Sequence, residues 1–109
     1  ELVALRVSAI NQCEYCMASH SKLARGAGAS EAEVVAAKAG ALDVFGGRDK
    51  AALRFAEALT LRSKTVREEE FEELQRQFEE GEIVEVAAVA AIFNYFNRFN
   101  NALDIEITK

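Results

Sequence analysis

Apolar residues recur along this chain at three- and four-residue spacing with no sustained period-two run, a rhythm that predicts helices throughout. Leu2, Leu5, Val7, Ala9 and Ile10 leave Arg6 and Ser8 as the early polar positions, which predicts a mostly buried first helix ending near Asn11–Gln12. A second helix is expected from about Cys13 through Leu23 to a stop at Gly26 or Gly28, because glycine takes the left-handed conformation that closes helices. Ser30 followed by Glu33 is a capping box, each side chain placed to satisfy a backbone N–H of the other, and it opens a third helix ending near Gly40. Gly46–Gly47 reads as a loop and Asp49 as the N-cap of a fourth helix. Ala52, Leu53, Phe55, Ala56 and Leu59 give that helix its apolar face, and Arg54, Glu57 and Arg62 its polar one.

Thr65 with Glu68 repeats the capping-box pattern and predicts a fifth helix with a narrow stripe of Phe71, Leu74 and Phe78. The acidic run Glu68, Glu69, Glu70, Glu72 and Glu73 is its solvated face. After Gly81 a final helix is apolar all round from Ile83 to Phe93 and then turns polar at Asn94, Asn97, Arg98 and Asn101, which share a face. Ile83, Val86, Val89, Ile92, Phe93 and Phe96 offer more apolar surface than one small core covers, so the chain is expected to oligomerise. The fold class that follows is all-α, a bundle of about six helices. With no repeat, low-complexity tract or Pro/Ser-rich linker, residues 1–109 are read as one domain.

Composition agrees: half of the residues are hydrophobic, 28% are charged and none is proline. A net charge of −5 works against phosphate backbones, so nucleic acid is not an expected partner. The longest strongly apolar stretch, Val86–Phe93, is far short of the roughly 20 residues that cross a bilayer, so no membrane span is expected. No charged segment followed by an apolar one opens the chain, and the expected location is cytoplasmic. No flavin, haem or nucleotide motif is visible, and no bound cofactor is expected.

Reactive side chains cluster in one place, Cys13-Glu14-Tyr15-Cys16-Met17-Ala18-Ser19-His20. Two cysteines three positions apart close too short a loop to staple a fold, so the pair reads as redox or metal chemistry. A cysteine in the first turn of a helix faces unpaired N–H groups and the positive end of the dipole, both of which favour thiolate. His20, four residues after Cys16 on the same face, can take the Cys16 proton directly or through a water. Cys13 is close enough to form a disulfide once Cys16 has become a sulfenic acid. Zinc held by the two thiolates and His20 is the competing reading, but a structural zinc site wants four protein ligands and the chain has one His and one Cys pair. The expected site therefore holds no metal.

The spacing Glu1, eleven residues, then Cys13-x-x-Cys16-x-x-x-His20 resembles the active-site motif of the AhpD-like alkylhydroperoxidases within the carboxymuconolactone decarboxylase family. The resemblance extends through Ala27-Gly28-Ala29-Ser30-Glu31 and the late Asn97-Arg98-Phe99-Asn100-Asn101, and Tyr15 stands where the best-known members carry a second histidine. It implies an AhpD-like helical bundle assembled as homotrimers or homohexamers, and reduction of hydroperoxides with a dithiol protein as reductant. It also implies Cys16 as peroxidatic thiolate, Cys13 as resolving partner, and His20 with Glu1 as a proton relay. Two rival readings use the same residues: a lyase or isomerase on a small carbonyl acid in which His20 and Glu1 do the acid-base work, and an oligomeric redox-sensing module without turnover.

Overall fold

The computed structural model describes residues 1–105. Among them the order is α1 (Leu2–Ile10), α2 (Glu14–Gly26), α3 (Glu31–Ala39), α4 (Gly47–Arg62), α5 (Glu68–Gln77) and α6 (Glu80–Ala102), with 3₁₀ turns at Leu42–Val44 and Ser63–Thr65 and no strand. The bundle is organised around α1, which packs against α2, α3, α4 and α6. Leu5 joins Val34, Ala37, Leu42, Phe45 and Leu53 in one cluster, and Val7 meets Ala56 and Ala90 in a second. A third sets Ala51 and Phe55 of α4 against Leu74 of α5 beneath Ile83 and Val86 of α6. Leu5, Leu53 and Leu74 are fully buried, each contributing roughly 1.5–3 kcal/mol.

Both polar residues of α1 turn inward. Arg6 donates from Nε to Glu57 at 2.7 Å and from Nη1 to the Lys38 carbonyl at 2.9 Å, placing a cation at the C-terminal end of α3. Gly40 closes α3 at φ 77°, a left-handed backbone that calls for glycine, and a Cβ there would lie 2.8 Å from Arg6 Nη2 and displace the guanidinium. Glu57, expected on a polar face, is the inward partner of Arg6.

Helix starts follow local chemistry, with three corrections to the sequence reading. The Ser30–Glu33 box forms with both bonds, at 2.9 and 3.1 Å. α4 begins at Gly47 with Gly46 as N-cap, so Asp49 lies inside the first turn, where its carboxylate faces the helix dipole. α5 begins at Glu68, not after Thr65, which sits in a 3₁₀ turn; Glu70 accepts from the Arg67 N–H at 2.9 Å. α6 begins at Glu80 and runs through Gly81, with Glu82 accepting from the Glu79 N–H at 3.0 Å. In α5 and α6 a carboxylate three residues in supplies the backward bond of a capping box without Ser or Thr at the cap. Of the expected α5 stripe, Leu74 is fully buried and Phe78 packs against the same cluster. Phe71 is exposed, and Phe78 lies past the helix end, with the Arg48 guanidinium 4.4 Å from its ring centroid.

The polar end of α6 also differs from a single wet face. Arg98 is exposed, while Asn97 is fully buried. Asn97 donates to Ser8 Oγ at 3.0 Å and accepts from Asn11 at 3.1 Å; Asn11 also donates to Asn94 at 2.9 Å, and Asn101 donates to the Asn11 carbonyl at 2.7 Å. These amides fasten the turn between α1 and α2 to α6, and among the described residues no buried side-chain N or O lacks a partner. Of the α6 residues expected to need cover, Ile83, Val86 and Phe93 pack against the bundle's own clusters, whereas Val89, Ile92 and Phe96 are exposed and are joined on the surface by Tyr95 and Phe99. No helix among the described residues is long and apolar enough to cross a membrane.

Two outcomes are expected. Asn97→Ala strips two buried bonds from the turn and lowers stability by about 2–3 kcal/mol, read as an earlier urea midpoint. Arg62 hydrogen-bonds to Glu70 and, with the Arg67 N–H, holds its carboxyl below the ordinary 4.5. The unfolded chain therefore binds the proton more readily. The contribution is complete above the ordinary value and is lost as pH falls through the lower, folded one, so Glu70→Gln should shrink the fall in melting temperature between about pH 6 and pH 3.

Candidate functional site

The reactive segment is shaped by the way α1 ends. Gln12 takes φ 57°, its N–H bonds to the Ala9 carbonyl at 3.2 Å, and the Cys13 N–H bonds to the Ser8 carbonyl at 3.0 Å. That is a Schellman closure with glutamine in the left-handed position where glycine is usual. The turn is so short that Cys13 both closes α1 and serves as the N-cap of α2, with its Sγ accepting from the Cys16 N–H at 3.3 Å. The sequence placed Cys13 in the first helical turn; it stands one residue earlier, still at the end where backbone N–H groups converge.

Cys13 and Cys16 are joined as a disulfide, with Cα atoms 5.3 Å apart. Both residues are buried. Cys16 Sγ accepts a hydrogen bond from Asn100 Nδ2 at 3.3 Å, across the interface between α2 and α6. His20 follows one turn after Cys16 on α2, and its Nδ1 lies 2.8 Å from Glu1 Oε2. A carboxylate can only accept, so Nδ1 carries the hydrogen, and in the neutral ring Nε2 is left as the acceptor. Phe93 meets the imidazole edge-on at a centroid distance of 4.6 Å and limits its rotation. The Glu1 side chain is 37% exposed against 15% for His20, so this pair lies nearer solvent than the disulfide.

The four residues singled out in the sequence thus form two pairs on neighbouring elements, Cys13 with Cys16 and Glu1 with His20. Asn100 was not singled out for chemistry. It lies 84 residues from Cys16, and only its place in the late asparagine cluster marked it. A pocket of about 400 Å³ opens beside the disulfide, with Cys13, Tyr15, Asn100 and Ile105 among its lining residues. Among the described residues no group of three or more His, Cys, Asp and Glu side chains is placed to hold a metal ion. The arrangement supports two-electron thiol chemistry at a disulfide with a histidine–carboxylate pair one helical turn away.

Known proteins share this architecture. A protein of unknown function from Agrobacterium tumefaciens, a candidate antioxidant defence protein AhpD, superposes with a TM-score of 0.92 at 27% identity, over 99% of this chain and 75% of that one. An uncharacterized peroxidase-related protein from Ralstonia eutropha JMP134, with an alkylhydroperoxidase AhpD core, gives 0.89 at 26% identity, over 99% of this chain and 58% of that one. The debrominase Bmp8 gives 0.84 at 31% identity, over 98% and 58%. In sequence, the uncharacterized protein YdfG of Bacillus subtilis is 33% identical over 86 residues, which is 77% of this chain; the match spans 58% of that relative's length. Residues 1–58, which hold Glu1, both cysteines and His20, match the carboxymuconolactone decarboxylase family. The chain belongs to the carboxymuconolactone decarboxylase family and is built on the helical fold of its AhpD-like members.

Proposed function

We propose that this protein is a thiol-dependent peroxidase that reduces hydroperoxides through a Cys13–Cys16 disulfide cycle. The observation that carries the reading is the disulfide at the start of α2 with the Glu1–His20 pair one turn further on. Cys16 thiolate attacks the distal peroxide oxygen, the O–O bond breaks, and the products are Cys16 sulfenic acid and an alkoxide that takes up a proton as alcohol. The Cys13 thiol attacks the sulfenic sulfur, forms the disulfide and releases water. A dithiol then returns both cysteines to thiols as it is itself oxidised. His20 takes the Cys16 proton at Nε2, with Glu1 fixing the tautomer from Nδ1. No bound cofactor enters this cycle, and a compartment that keeps thiols reduced, such as the cytoplasm, suits it.

The exposed aromatic and aliphatic face of α6 supports assembly into a homotrimer or homohexamer, with Ile92, Tyr95, Phe96 and Phe99 as the contact residues. Likeness to a debrominase favours a second reading on the same thiols, reductive removal of bromine, in which C–Br becomes C–H, bromide leaves and the disulfide forms.

Two measurements test these readings. With an organic hydroperoxide and dithiothreitol, the protein should turn over peroxide and Cys16→Ser should abolish this; given peroxide without dithiothreitol, Cys13→Ser should stop at a sulfenic acid that dimedone labels. His20→Gln should lower kcat/KM by about 10²–10⁴-fold with little change in melting temperature, since a packing histidine would show its loss as stability instead. Full turnover by Cys16→Ser would end the peroxidase reading, and bromide release from a brominated aromatic acid without peroxide turnover would put the second in its place. For assembly, light scattering at micromolar concentration should show a trimer or larger, and Phe96→Glu should shift it to monomer; a stable wild-type monomer would sink the proposal.

A further inference from the structure

A disulfide can be opened from either side. The sulfur that is struck enters a mixed disulfide, and the other leaves as thiolate, faster the lower its pKa. Here the two sulfurs differ in access and in their donors. The pocket of about 400 Å³ beside the disulfide is lined by Cys13 and not by Cys16. Cys13 is only 1% exposed, so a reagent must enter the pocket to reach it. Cys13 Sγ accepts from the backbone N–H of Cys16, a bond that needs no charge on sulfur and can persist when Cys13 carries a second disulfide partner. Cys16 Sγ accepts instead from the Asn100 side chain, which also lines the pocket.

We propose that the disulfide is polarised by its surroundings: the reductant enters this pocket and attacks Cys13, Cys16 leaves as thiolate, and Asn100 is the positioning residue that holds the departing charge. The reductant thiolate forms a bond to Cys13 Sγ while the Sγ–Sγ bond breaks and its electron pair goes to Cys16. The second thiol of the reductant, once deprotonated, then attacks the reductant sulfur of the mixed disulfide. Cys13 is released as thiolate and takes up a proton, and the reductant departs as its own disulfide. Asn100 cannot accept a proton from the thiol, so it favours the charged form of Cys16 without competing with His20 for that role. The same bond leaves Cys16 as the thiolate that meets the next peroxide. The proposal rests on the pair being a working redox couple.

The test uses the oxidised, full-length chain and 2-mercaptoethanol, uncharged because Glu14 and Asp104 bring two carboxylates to the pocket. After brief exposure the reaction is quenched, the freed thiol is alkylated with iodoacetamide, and the peptide spanning residues 7–22 is sequenced by mass spectrometry. Mercaptoethanol should be found on Cys13 and the alkyl group on Cys16, in about tenfold excess over the reverse. Mercaptoethanol on Cys16, or an even split, overturns the proposal.

In the reduced protein, Asn100→Ala and the isosteric Asn100→Asp should both slow Cys16 alkylation about tenfold at pH 7 and move its pH profile upward, leaving Cys13 alkylation little changed. A residue that merely packs would not move that profile, and an unmoved profile in Asn100→Asp removes Asn100 from the proposal. Peroxide turnover is measured alongside. Attack on Cys13 without turnover keeps the polarity and ends the peroxidase reading, whereas turnover with the adduct on Cys16 does the reverse.

Discussion

The hydrogen bonds that fasten the turn between α1 and α2 to the asparagines of α6 are the constraint on which the site depends. A three-residue connection cannot hold a disulfide and a helix start in one orientation by itself, and here its only left-handed position is occupied by glutamine. Asn97, Asn101 and Asn11 take up the polar groups of that turn across a distance of more than eighty residues in sequence. Because Asn97 and Ser8 are completely buried, losing either partner leaves the other without water to replace it. A further asparagine of α6, Asn100, reaches Cys16, so one row of amides both positions the turn and touches the disulfide.

What the sequence disclosed follows from how local each signal is. The Ser30–Glu33 box and the helix stop at Gly40 depend on residues within one turn, and both formed as read. The starts of α5 and α6 were misplaced because Thr65 and Gly81 looked like stronger signals than the carboxylates Glu70 and Glu82, which reach back to caps of unfavoured type. Arg6 and Ser8 looked like a polar edge of α1, yet their partners Glu57, Asn97 and the Lys38 carbonyl come from three other helices, a pairing no local pattern carries. At the site, Cys13, Cys16 and His20 were legible from one-turn spacing, while Glu1 entered through family resemblance and Asn100 stood in the late motif that carries that resemblance without being given a role.

α6 has two faces with different duties. Its inward face places Ala90 against Val7 and Ala56, and lower down its amides on the α1–α2 turn. Its outward face keeps Ile92, Tyr95, Phe96 and Phe99 in water. Aromatic rings connect the two: Phe93 packs edge-on to His20, lies 5.9 Å from Phe96, and Phe96 lies 5.4 Å from Tyr95. A partner that covered the outer rings would restrict Phe96 and Phe93 and with them the plane of the imidazole, so the proposed assembly face and the His20–Glu1 pair are physically contiguous.

Burial and reactivity pull a thiol in opposite directions. A cysteine withdrawn from water resists ionisation, while attack on peroxide requires the thiolate. Both cysteines here are buried, so in the proposed cycle the charge on sulfur is to be met by fixed dipoles. The fold supplies them in two forms, the Cys16 backbone N–H for Cys13 and the Asn100 amide for Cys16. Neither can titrate near neutral pH, and neither has to reorganise when the charge moves from one sulfur to the other. In the proposed cycle His20, nearer to solvent and tied to Glu1, has the one task the dipoles cannot perform, which is to carry the proton away.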